Sequence, residues 1–224
     1  MDAVDFIRTT LAPLAGKRVL DIGCGKGALA AALSADGAQV TGVDPASTAL
    51  DEARRAAPAA TFEVASAEAL PFAPRAFDAA ILLNALHHVP VATMGAALVE
   101  ASRVTEQGGC IIVIEPLITG SFNAVLKLID DETDIRAAAQ AAVQSFERDP
   151  AIQPLSSITF TRKEFVPDFA GFIVRATSAD PSRLEVVARR RAEIEDAFRQ
   201  HAVLEGAGRY RFDQPLKADA FRVR

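Results

Sequence analysis

The chain has 224 residues, with 24 basic and 29 acidic side chains for a formal net charge of −5, and 50% of its residues are hydrophobic against 24% charged. That balance fits one globular domain and excludes a chain disordered in the main, while the acidic sum argues against a partner held by neutralising nucleic-acid phosphates. Cys24 and Cys110 stand far apart with no paired-cysteine spacing, so neither a disulfide framework nor a zinc ribbon is expected. No basic-then-apolar leader opens the sequence and no apolar run nears the roughly 18 residues of a membrane span, which makes a cytoplasmic protein without a membrane partner the expectation.

In chain order, short β-rich runs alternate with helical stretches. Strands are expected at Arg18 to Ile22, Gln39 to Val43, Thr61 to Ala65, Phe77 to Leu83 and Gly109 to Glu115. Most are apolar runs rather than strict alternations, the pattern of strands covered on both faces of a parallel sheet. Helices are expected at Lys26 to Ala35, at Ser47 to Ala57 before Pro58, and at Val91 to Thr105 before Gly108-Gly109. This repetition predicts a doubly wound α/β fold with helices on both faces. After Glu115-Pro116 the spacing of Ile135, Ala139, Val143 and Phe146 predicts two helices between Ser121 and Arg148, with acids 130 to 134 as a solvated helix start rather than a metal site. A loop is expected around Pro150 and Pro154, a helix from Pro181 to Leu204 with Arg189, Arg190 and Arg191 on a solvated face, and an extended segment from Arg209 to Val223 that Pro215 makes an edge or bulged strand. No repeat or linker divides the chain.

The strongest motif is Val19-Leu20-Asp21-Ile22-Gly23-Cys24-Gly25-Lys26-Gly27, a strand running into a glycine turn and then a helix. Gly23, Gly25 and Gly27 remove Cβ atoms where the backbone turns and a ligand approaches. Asp44 ends the next strand, where a carboxylate accepts from ribose hydroxyls or, on the structural alternative, caps the following helix. Gly23-x-Gly25-x-x-Ala28 also satisfies the loose dinucleotide fingerprint, but Asp21 is an awkward neighbour for a pyrophosphate. The ammonium of S-adenosylmethionine suits it better.

Together with Ala65 to Phe72 and Leu83-Asn84-Ala85-Leu86-His87-His88, these residues resemble class I S-adenosylmethionine-dependent methyltransferases, in particular the small-molecule branch that includes quinone-biosynthesis enzymes. The resemblance covers about residues 16 to 116. It implies a Rossmann-like seven-stranded, mostly parallel sheet with one antiparallel strand near the C-terminus. It also implies one domain over 1–224, with a cofactor-binding core at 16–116, a mainly helical substrate-covering region at 117–208 and a final strand at 209–224. The cofactor contacts it implies are Asp21, Gly23, Gly25, Gly27, Asp44, Ser66, Ala67 and Asn84. Ser66 stands where relatives often carry the aspartate that accepts from the adenine amino group, so its hydroxyl or the backbone near Ala67 must serve. Of the adjacent histidines one is expected to pack or cap, and His88 is the candidate general base. Cys24 reads as a small buried filler. No metal is expected. No Asn-Pro-Pro-Tyr-type sequence follows the fourth strand, which disfavours DNA-base or glutamine acceptors. The expected activity is methyl transfer to a small molecule; a nicotinamide-dependent oxidoreductase and a non-catalytic S-adenosylmethionine-binding protein stay open, and the oligomeric state is not legible.

Overall fold

A computed structural model describes residues 2–178, 180–206 and 208–224. Helix α1 (Ala3–Leu11) starts on a reciprocal cap: Asp2 accepts the Asp5 N–H at 2.9 Å and Asp5 accepts the Asp2 N–H at 3.2 Å. The alternating segment follows as β1 (Arg18–Ile22), α2 (Ala28–Ala35), β2 (Gln39–Asp44), α3 (Ser47–Ala56), β3 (Thr61–Val64), β4 (Phe77–Leu83), α4 (Met94–Val104) and β5 (Thr105–Pro116). The remainder comprises α5 (Ser121–Leu126), α6 (Thr133–Phe146), β6 (Ile152–Val166), α7 (Phe169–Thr177), α8 (Arg183–His201), β7 (Val203–Glu205) and β8 (Arg209–Val223).

The sheet runs in the order β3-β2-β1-β4-β5-β8-β6, the expected seven strands, and the short β7 adds an eighth by pairing antiparallel with β8. Strands β1 to β5 are mutually parallel, with Asp21 level with Gly42 on one side and Ile81 on the other. Consecutive residues are buried in β1 (Val19 to Ile22), β4 (Ala79 to Leu82) and β5 (Ile111 to Ile114). Because neighbouring side chains on a strand point to opposite faces, both faces of the sheet are covered there. The chain proceeds outward from β1 through β2 and β3, then returns to lay β4 and β5 on the other side of β1. The order therefore reverses between β1 and β4, and at such a reversal ligands bind beyond the carboxyl ends of the strands.

The chain divides into two compact units, Met1–Glu115 with Ala138–Thr159 and Lys217–Arg224, and Pro116–Ala137 with Phe160–Leu216. The second has its own core, in which Phe172 sits 5.1 Å from Phe212, 5.5 Å from Phe122 and 5.8 Å from Phe198 between ring centroids. Among the described residues no helix is long and apolar enough to cross a membrane.

The expected loop at Pro150 to Pro154 is instead the start of β6. Its polar, half-open residues carry none of the apolar run that marked the central strands, and as the last strand in the order it tolerates Pro154. Helix α8 ends at His201 and Val203–Glu205 pair with β8, so the helical reading to Leu204 overran. The acids at 130 to 134 precede α6 as expected, but they are not simply solvated: Asp130 and Glu132 pair with Arg183, and Glu132 with Arg136.

Phe172 is fully buried, so Phe172→Ala should cost about 3–5 kcal/mol of unfolding free energy. Urea unfolding followed by circular dichroism checks this, and a cost below about 1 kcal/mol would show that these rings do not hold the second unit.

Candidate active site

The carboxyl ends of β1, β2, β3 and β4 bring together every residue that the sequence marked for the cofactor. After β1 the backbone turns through Gly23 and Gly25 at φ 73° and 51°, and Gly27 at φ 80° opens α2. Gly23 is required by contact, since a Cβ there would stand 2.6 Å from Ala85 Cβ in the loop after β4. Gly25 differs: nothing lies within 4 Å of the position its Cβ would take. The turn therefore leaves bare backbone facing open space, the condition for close approach of a ligand.

Asp44 holds this turn. Its Oδ2 accepts the Gly25 N–H and its Oδ1 the Ala46 N–H, both at 2.9 Å. It is not the cap of α3, whose N-cap is Ala46 with no side-chain bond. A carboxylate has about four lone-pair directions, so two remain for hydroxyl donors. Asp21, under the turn, is only 2% exposed, and its Oδ2 has no hydrogen-bond partner. Burial, and then the nearby Asp44 charge, push the Asp21 carboxyl up to about 7. Asn84, at φ 52° beyond β4, likewise buries its Oδ1 without a partner, although its N–H donates to Ile114 O at 2.8 Å. Two orphaned acceptors, one on β1 and one just past the end of the adjacent β4, suit a ligand bearing donors, and an ammonium best of all beside a carboxylate.

Ser66 and Ala67 lie half-buried in the loop after β3. Their segment is fastened by a pair on α4 that sequence reasoning missed. Glu100 accepts the Leu70 N–H at 2.9 Å, and the Arg103 guanidinium donates to Leu70 O at 3.1 Å and Phe72 O at 2.7 Å. Their three-residue spacing was the available signal.

The two histidines separate as expected. His87 is buried and its Nδ1 pairs with Glu115, whereas His88 is exposed, with its ring centroid 4.0 Å from that of His87. Glu115, also missed, is 2% exposed and collects the N–H groups of Ala85, Leu86 and His87 at 3.0, 2.8 and 3.4 Å. A carboxylate closing the apolar run Ile111 to Ile114 needs buried donors, and that was its signal. Burial, with Asp21 and Asp44, pushes the Cys24 thiol up to about 12, so it fits the role of buried filler rather than nucleophile. A cavity of about 490 Å³ opens at the opposite, amino edge of the sheet near Lys17, Asp78 and Arg222. It contains none of these residues and is not where ligands of open parallel sheets bind.

Residues 19–109 match the family model described as a methyltransferase domain. Over 105 residues the chain is 39% identical to the ubiquinone biosynthesis O-methyltransferase of Thiobacillus denitrificans, covering 45% of this chain and 44% of that relative; the match thus spans less than half of the relative's length. A solved Bacillus halodurans structure, provisionally described as a methyltransferase, superposes with a TM-score of 0.70 at 18% identity over 98% of each chain. The [4+2]-cyclase SpnF superposes at 0.63 and 18% identity over 98% of this chain and 80% of its own. At these identities the structures establish the fold alone.

Between about pH 4 and 7 the folded chain keeps a proton on Asp21 that an unfolded aspartate has released, so this group removes stability as pH rises through that window. Asp21→Asn should abolish that component, raising stability relative to the parent at pH 8 and not at pH 4 by up to ~4 kcal/mol. Urea melts of both proteins at the two pH values decide it; an equal difference at both would show that Asp21 does not titrate in this window.

Proposed function

We propose that this chain, whose residues 19–109 match a methyltransferase-domain model and which resembles a quinone-biosynthesis O-methyltransferase, transfers the methyl group of S-adenosylmethionine to a small-molecule acceptor. The observation that carries the reading is the bare turn at Gly25 set between a buried, under-bonded Asp21 and an Asp44 with lone pairs to spare. Asp44 would accept from the ribose hydroxyls and Asp21, with Asn84 Oδ1, from the ammonium end. Gly23, Gly25 and Gly27 would admit the cofactor to the main chain. Ser66 and Ala67 would border the adenine. Two carboxylates at one turn repel a pyrophosphate, which disfavours the nicotinamide alternative.

When bound, this cofactor supplies an electrophilic methyl on a sulfonium. The chain's own task is then alignment of the acceptor, an effect worth several kcal/mol. His88, exposed at the loop that Glu115 fixes, would take a proton from an acceptor hydroxyl. Residues 117–208 would select the acceptor.

Calorimetric titration with S-adenosylmethionine, S-adenosylhomocysteine and NAD tests the cofactor. Both sulfur ligands should bind, and Asp44→Ala and Gly25→Ala should each weaken them by about tenfold or more. Binding of NAD alone would overturn the reading. With an acceptor in hand, His88→Gln should lower turnover by roughly 10²-fold or more without changing S-adenosylhomocysteine affinity; unchanged turnover would show that alignment alone suffices.

A further inference from the structure

Within the second unit, four guanidiniums meet three carboxylates. Arg183 pairs with Asp130 at 2.5 Å and Glu132 at 3.2 Å, and Arg136 pairs with Glu132 at 2.6 Å. Arg162 and Arg175 must share a single partner, Glu164, at 2.6 and 3.3 Å. Arg136 is nearly buried and donates further to Asn123 Oδ1 at 2.9 Å. Arg162 and Arg183 each bury an Nε without a well-aligned acceptor, but Arg183 has two carboxylates to itself or shared with Arg136, whereas Arg162 has only its approach to Glu164, which Arg175 also engages. Burial holds its guanidinium below the ordinary range, and the Arg175 and Arg136 charges act in the same direction, against the attraction of Glu164. A cation placed among like charges is costly until a counter-charge arrives. The side chain keeps 34% of its surface exposed, so a solute can reach it.

We infer that Arg162, flanked by Arg175 and Arg136, binds the oxyanion group, carboxylate or phosphate, of a small molecule. The guanidinium fork matches either anion with two parallel hydrogen bonds, which an ammonium cannot reproduce. The anion site stands on the second unit alone. Removing Arg162 strands no carboxylate, because Glu164 keeps Arg175, so the variant is expected to fold.

The test is titration of the full chain, with and without saturating S-adenosylhomocysteine, by benzoate, phenyl phosphate and benzyl alcohol. At least one anion should bind while the alcohol does not, and benzoate or phenyl phosphate as the tighter ligand identifies the anion. Arg162→Gln should weaken anion binding by about tenfold or more, Arg162→Lys by less, and both should keep S-adenosylhomocysteine affinity within about twofold. Absence of anion binding, equal binding to Arg162→Gln, or equal binding of the alcohol would overturn the site. Anion binding by a chain that ignores S-adenosylhomocysteine would still support the site.

Discussion

Strands β1, β4 and β5 are buried on both faces, and that constraint determines where chemistry can occur. A strand covered by apolar packing above and below has no side chain to spare for a ligand along its length. Functional groups must sit where strands end, and in a parallel sheet one edge collects every exit toward the following helices. Strands β1, β2 and β5 place Asp21 within β1, Asp44 at the end of β2 and Glu115 near the end of β5, so three carboxylates occupy one edge of an otherwise apolar slab.

Those carboxylates differ in what the chain provides for them. Glu115 receives three backbone N–H groups and the His87 ring, all from the loop after β4. It is a structural clamp, and because that loop also abuts Gly23 through Ala85, it fixes one wall of the glycine turn. Asp44 is satisfied by half, with two N–H donors that shape the turn from the other side. Asp21 is buried with one oxygen unpaired. The gradient runs from a saturated Glu115 to an Asp21 with an oxygen unpaired, and a buried polar group left short is what the proposed cofactor role of Asp21 would use.

The central strands were legible because burial on both faces writes a continuous apolar run into the sequence, and Arg18–Ile22 and Phe77–Leu83 match their readings end to end. Arg209–Val223 matches its bounds as β8, but it lies between β5 and β6 rather than at an edge, contrary to the edge reading from Pro215. The glycine turn and Asp44 were legible because backbone demands select few residue types. β6 was not, because an edge strand with open, polar positions has the composition of a loop. Helix α7 was not read as an element either. Glu100, Arg103 and Glu115 escaped for a different reason: their roles lie in hydrogen bonds to backbone groups about 30 positions away, and no local pattern records such partners. The Arg162 network is the extreme case, since its meaning depends on a count of charges drawn from β6, α6, α7 and α8 and the segment before α6.

Fold and chemistry part company at this point. The [4+2]-cyclase SpnF shares the architecture with a TM-score of 0.63, which is the expected behaviour of a scaffold that hosts many reactions. What narrows the reaction is charge. On the proposed reading, two aspartates at this turn would repel the ligand that the glycine spacing alone would suggest, and an adenosine ligand with a cationic tail would turn that repulsion into attraction. Transfer from a sulfonium would then demand alignment more than proton traffic. The buried His87–Glu115 pair would serve that alignment by holding the loop after β4.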